Sequence, residues 1–208
     1  MYINSFSVRI PEGKETHSGY VEMQHGKTYT LVLRNARDVR CDARVEVDGK
    51  DVGTWRIPAH SSISLERPAN DDGKFTFYRL DSQEAKQVGL KDDMYAGLVQ
   101  VTFTPEKHFI STPIYAKGMC DGSQKRIRGN YYLGDDNSIL EGSAAISSSY
   151  KAGGTGLSGR SNQVFVDAET IVYDYSQRTT ISLRLVINES TPRPLRPLGN
   201  EVPPRPLK

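Results

Sequence analysis

Period-two alternation of apolar and polar side chains dominates the chain. Tyr2, Phe6, Val8 and Ile10 share one parity in the first segment, Tyr29, Leu31 and Leu33 in the second, and Ala43, Val45 and Val47 in the third. A strand sends every second side chain to the same face, so each segment reads as a half-buried antiparallel strand. Asp48-Gly49 separates the third segment from a further alternating run at 52–57. That dipeptide suits a two-residue hairpin turn, because both central positions take positive φ. In the returning strand Trp55 and Ile57 face one way, which assigns Trp55 to the core.

Further strands are expected at 62–67, with Ile63 and Leu65 inward, and at 74–80, 98–104, 164–167 and 179–188. The last has the cleanest pattern: Ile181, Leu183, Leu185 and Ile187 alternate with Ser182, Arg184, Val186 and Asn188. A strand so long and regular belongs in the middle of a sheet. Only residues 81–88 read as helical, with Asp81 as N-cap, Glu84 at capping-box spacing and Gly89 closing the helix in the left-handed region. One short helix among many short strands, with no β-α alternation and no internal repeat, predicts an all-β fold. The expected architecture is an antiparallel β-sandwich of jelly-roll or Greek-key type spanning residues 1–188.

Two regions break the pattern. Between residues 112 and 161 the alternation dissolves, and nine of the 18 glycines fall from Gly118 to Gly159. This is too long for an ordinary connection and reads as a Gly-rich insertion or arm, with weak strand candidates at 131–133 and 144–147. Residues 189–208 form a tail holding six of the 11 prolines, and Arg-Pro-Leu recurs at 193–195, 196–198 and 205–207. Proline lacks the N–H that a sheet interior needs, so the tail is expected to run as extended polyproline II. At about 3.1 Å per residue it reaches on the order of 60 Å.

Charge sharpens this division. The 208 residues carry a net charge of +2, and the tail alone holds Arg193, Arg196, Arg205 and Lys208 against Glu189 and Glu201. The body is therefore neutral, which disfavours general nucleic-acid binding, since that draws its affinity from neutralising many phosphates. The start of the chain, Met1-Tyr2-Ile3-Asn4-Ser5, has neither the basic beginning nor the apolar run of a secretory signal, and nowhere do 18 apolar residues follow one another. We therefore expect a protein made in the cytoplasm, with no signal peptide and no membrane span, and with Cys41 and Cys120 reduced.

Candidate chemistry is sparse. Residues 154–161, Gly-Thr-Gly-Leu-Ser-Gly-Arg-Ser, match the spacing of nucleotide-binding glycine loops. Both such motifs require a buried strand before and a helix after, and here strand character follows, so the stretch reads as a flexible loop. His17, His25, His60 and His108 show no paired spacing, and Asp71-Asp72, Asp92-Asp93 and Asp135-Asp136-Asn137 sit in turn-rich stretches where aspartate needs no other explanation. No Gly-x-Ser-x-Gly nucleophile elbow occurs and neither cysteine lies in a nucleophile-like context. No cofactor or metal is expected, and no enzyme activity. Lys125, Arg126 and Arg128 followed by Tyr131 and Tyr132 combine cations with aromatics. That is a contact set for a partner, and only weakly one for single-stranded nucleic acid.

A polar surface, a neutral body, a Gly-rich arm and a Pro-rich tail describe a protein that works by contact. On its alternating strands and extended tail, the chain resembles in architecture the small jelly-roll proteins of virus particles of the decoration, cement or minor capsid type. The resemblance implies a non-enzymatic structural protein of a virion or other large assembly, its partners being protein subunits. The expected contacts are Pro192, Arg193, Pro194, Leu195, Arg196, Pro197, Leu198, Arg205, Pro206 and Leu207 in the tail, with Lys125, Arg126, Arg128, Tyr131 and Tyr132 in the arm. Two alternatives remain. One is a carbohydrate- or peptide-binding sandwich using Trp55, Tyr78, Tyr131 or Tyr132 as a platform; the other is a cytoplasmic adaptor whose tail docks on an SH3-type groove.

Overall fold

A computed structural model of the chain describes residues 1–16, 18–108 and 150–188. Along them run β1 (Tyr2–Ile3), β2 (Phe6–Arg9), β3 (Lys14–Glu15), β4 (Tyr20–Glu22), β5 (Lys27–Thr28), β6 (Leu31–Asn35), β7 (Cys41–Val47) and β8 (Lys50–Ile57). There follow β9 (Ser62–Leu65), β10 (Lys74–Arg79), the helix α1 (Gln83–Gln87), β11 (Leu98–Pro105), β12 (Tyr150–Ser158), a 3-10 turn at Tyr175–Gln177 and β13 (Thr179–Asn188). The smaller sheet has the order β1-β2-β6-β9, and the larger follows the path β5-β10-β12-β13-β11-β7-β8 with β4 and β3 added beside β13.

The two sheets enclose one core, as the alternation predicts. Phe6, Val8, Leu31, Leu33 and Leu65 from the smaller sheet meet Ala43, Val45, Ile57, Phe77, Val101, Phe103, Ile181 and Leu183 from the larger, all buried. Phe6 and Phe103 stack across the gap with centroids 4.6 Å apart. The outer face of the larger sheet is polar, with Thr102 and Thr180 hydroxyls 3.1 Å apart and Gln100 donating to Ser182. β13 lies inside the sheet, with β11 and β12 sharing one edge and β4 on the other. The pair β4–β13 is parallel, and every other named pair is antiparallel.

The Asp48-Gly49 turn has φ of +50° and +72°, and Trp55 is only 9% exposed, with its ring edge against Phe165. Four expectations need correction. Tyr2 is 64% exposed, because Asn4 and Ser5 both take positive φ and fold β1 back on β2, pairing Ile3 with Phe6. The cap of α1 is Ser82, whose hydroxyl accepts from the Ala85 N–H, while Asp81 pairs with Arg79. Gly89 closes the helix at φ +70° as expected.

The other two corrections are adjacent in sequence. Residues 164–167 form no strand. Val164 and Val166 are 84% and 92% exposed. The glycine run, expected as a loop within an insertion reaching residue 161, is instead β12, paired with β10 from Lys74↔Ser158 to Arg79↔Gly153. Two of its three glycines face aromatic rings. A Cβ on Gly153 would lie 2.0 Å from the Phe77 ring, and one on Gly156 would lie 2.8 Å from the Tyr78 ring. Glycine ordinarily weakens a strand, but here its missing side chain is the space into which the partner strand's aromatics lie.

Candidate functional site

Three polar assemblies hold the described residues together where groups of interest converge. The first is built on the β7–β8 turn. Asp48 Oδ1 accepts from the Gly97 N–H at 2.8 Å and Oδ2 from the Thr155 N–H at 2.6 Å, so one carboxylate ties the turn to the start of β11 and the middle of β12. Burial pushes its pKa up to about 6, against the lowering effect of those two N–H groups. Thr155 Oγ1 lies 2.7 Å from the hydroxyl of the buried Tyr29, whose phenol burial holds far above its usual range.

Asp48 borders a cleft of about 360 Å³ floored by Val47, Val52, Phe75 and Leu157. The other carboxylates at its mouth are already engaged. Asp51 accepts from Arg44 Nε and from the Gly53 N–H, each at 2.9 Å, and Asp71 from the Gly73 N–H at 2.7 Å. A carboxylate whose lone pairs hold backbone donors organises loops; it is poorly placed to take a proton from a substrate.

The second assembly anchors residues 169–173 to the larger sheet. Asp42 receives Arg56 in two hydrogen bonds of 2.6 and 2.9 Å and the Tyr173 hydroxyl at 2.6 Å, and Arg56 also donates to the Glu169 carbonyl at 2.5 Å. Burial alone would raise the Asp42 pKa, but Arg56 and Tyr173 together hold it below the usual carboxylate range. Beside it Arg40 grips Glu106 in a bidentate pair of 2.6 and 2.9 Å. Cys41 sits buried at this end, its thiol pushed up to about 12 by burial, which suits an inert core thiol.

The third assembly lies at the far end of β13. Tyr150 and Asn188 are directly paired across β12 and β13 and both donate to Glu22 Oε1, at 2.7 and 3.2 Å. The Tyr20 ring stacks on that of Tyr150. The register places the two ends of the arm. The chain passes through Lys107, whose N–H donates to the Val172 carbonyl beside the Glu106–Tyr173 bridge, at the Thr179 end of β13. It returns at Tyr150, at the Asn188 end. The point from which the tail continues is therefore also the point at which the arm rejoins the sandwich.

The contacts expected from sequence, Lys125, Arg126, Arg128, Tyr131 and Tyr132 in the arm and residues 192–207 in the tail, lie outside the described residues, as do His17, Cys120, Asp135, Asp136 and Asn137. Within them, Tyr78 is half-buried beside His25, whose Nδ1 accepts from the Arg79 N–H, and His60 occupies a turn at φ +53°. Asp71 and Asp93 hold the backbone N–H two residues on, the turn role their neighbours predict. Among the described residues no three metal-binding side chains converge, and no helix is long and apolar enough to cross a membrane. Sequence reasoning treats Asp48 as a turn residue only. Its grip on Gly97 and Thr155 depends on contacts 49 and 107 residues away, for which the local pattern carries no signal. Comparisons with protein families, curated proteins and solved structures return no match.

Proposed function

We propose that this chain is a non-enzymatic structural protein, a component of a virion or another large assembly, that binds neighbouring subunits through its tail and arm. The jelly-roll variety of sandwich belongs to this reading. The observation that carries it is the Tyr150–Asn188 pairing, which roots the arm's return and the tail at one end of a sandwich whose outer sheet face is polar. Contact segments issuing side by side from a rigid end can engage the same neighbour, and the second contact then forms at a high effective concentration. A charged, proline-rich chain is well suited to such docking, since it loses less freedom on binding than a flexible one and its guanidiniums pair with carboxylates. The burial of Trp55 removes one residue of the sugar-platform alternative.

The test is the mass of the species in solution. Light scattering on the full chain across a concentration series is expected to show association that is lost on deleting residues 190–208. A chain that stays monomeric throughout and beside every candidate partner, yet turns over a small substrate, would overturn the proposal in favour of an enzyme.

A further inference from the structure

The segment between β12 and the 3-10 turn is extended and lies over the rims of both sheets. Gln163 ties it to the smaller one, accepting from the Glu66 N–H at 3.0 Å and donating to the Ser64 carbonyl at 2.5 Å. Its own carbonyl receives the buried Arg67 at 2.7 and 3.1 Å, and that guanidinium also lies over the Phe165 ring. Phe165 packs on Trp55, and the Glu169 carbonyl takes Arg56. Residues 163, 165 and 169 thus fasten a strap between the edge strands β9 and β8.

The strap's outer side has no such engagement. Val164 and Val166 are 84% and 92% exposed, Asp167, Ala168, Glu169 and Thr170 are exposed, and Val172 follows at 55%. Asp167 and Glu169 form no ion pair with a described residue, and among the described residues no hydrogen bond reaches the backbone of residues 164–168. An extended stretch with free N–H groups, two outward valines and two unpaired carboxylates is an open strand edge with a chemical preference.

We propose that the occupant of this edge is the Arg-Pro-Leu tail, residues 191–208, of a neighbouring copy; the inference rests on the assembly role proposed above. The chemistry matches in three respects. Leucine and proline of the tail supply apolar surface for Val164 and Val166, and Arg193, Arg196 and Arg205 supply cations for Asp167 and Glu169. Prolines carry carbonyls and no N–H, so the tail can accept from the strap's free donors while offering few donors of its own, which limits further strand addition. Geometry selects a neighbour over the same copy. β13 runs from Thr179, beside the anchored end of the strap, to Asn188, so the last described residue before the tail lies at the opposite end, on a strand that points away from the strap. A stiff proline-rich chain would have to reverse direction to return to it. One surface then binds a different surface on the next copy, an arrangement that closes into rings or runs on as filaments.

The test uses the full chain. A photo-crosslinking residue replaces Val166, and isotopically heavy and light copies are mixed before irradiation. Crosslinks from position 166 to residues 192–207 that join heavy to light copies are expected. Crosslinks confined to one copy, or directed elsewhere, overturn the proposal. In a second arm, Asp167→Arg with Glu169→Arg should raise the concentration for half-association by about tenfold, and adding Arg193→Glu with Arg196→Glu should restore much of it. Unchanged association in the strap variant, alongside loss on tail deletion, would sink the strap as the receptor while leaving the assembly role standing. Association indifferent to tail deletion would sink both. Because the strap substitutions are at exposed positions, unchanged thermal melts are the control for folding.

Discussion

Residues 150–158 and 162–170 are neighbours in sequence, and the fold exchanges what their compositions suggest. The first, with three glycines, is a nine-residue strand inside the larger sheet; the second, with Val-Phe-Val, pairs with no described strand. Partner availability decides both. β10 offers Phe77 and Tyr78, whose rings need the space that Gly153 and Gly156 leave, and the ladder to β12 forms around that fit. The valine segment is held to β8 and β9 by its own residues 163, 165 and 169, through side chains and carbonyls rather than a ladder, and forms no backbone pair with a described strand. Strand propensity describes a surface that suits pairing; whether pairing occurs depends on which strand is left to receive it.

Ways to break the contrast start with the glycines. Gly153→Val places a side chain inside the Phe77 ring volume and is expected to destabilise by about 3 kcal/mol or more in a denaturant titration. A loss under about 1 kcal/mol would mean that β12 is not held by this fit. The same pairing predicts coupling. Phe77→Ala alone should cost about 3–5 kcal/mol, and with Gly153→Ala added the total should fall short of the sum by about 1–3 kcal/mol.

Asp48 comes next, because it stitches β12 to the β7–β8 turn. An aspartate ordinarily ionises near 3.8, whereas folding raises Asp48 to about 6. The folded state therefore holds this proton more tightly, and the resulting stabilisation, present in full below about 4, is lost as pH rises through about 6. Asp48→Asn is expected to remove this pH dependence, about 3 kcal/mol across that window, measurable as Tm against pH. Asp42 behaves oppositely. Its lowered pKa contributes stability above the usual carboxylate range that disappears as acid titrates it below that range. A wild-type curve with no slope between pH 4 and 6 would contradict the assignment for Asp48.

Smaller effects sharpen the other half of the contrast. Gly49→Val puts a β-branched residue at φ +72° with its Cβ 2.9 Å from the Tyr95 ring, and about 1–2 kcal/mol should be lost. Val164→Thr with Val166→Thr should shift stability by no more than about 0.5 kcal/mol, since neither side chain is buried; a larger loss would place the strap's outer side against the body.

Much of the sandwich is legible in the sequence because its strands obey one rule. Ala43, Val45 and Val47 pair with Phe103, Val101 and Val99 at the register their parity implies, and Ile181, Leu183 and Leu185 complete the layer. The Asp48-Gly49 turn is equally local. What escapes reading is non-local. A glycine strand makes sense only beside Phe77 and Tyr78, the β4–β13 parallel pair joins residues far apart in sequence, and Arg67, only 8% exposed, is charged yet sits where it clasps Gln163. Of the candidate site, sequence marks the tail's chemistry and its starting point after residue 188. The strap that matches it reads as an ordinary strand until the exposure of Val164 and Val166 is known.

Hydrogen exchange on the full chain, followed across a concentration series, tests the central claim most directly. The amides of residues 154–156, held by β10 and by Asp48, should be protected at every concentration, while those of 164–168 should exchange rapidly in dilute solution and become protected as the chain associates, with that protection lost on deletion of residues 190–208. Strap amides that exchange rapidly even in the fully associated state would contradict the account.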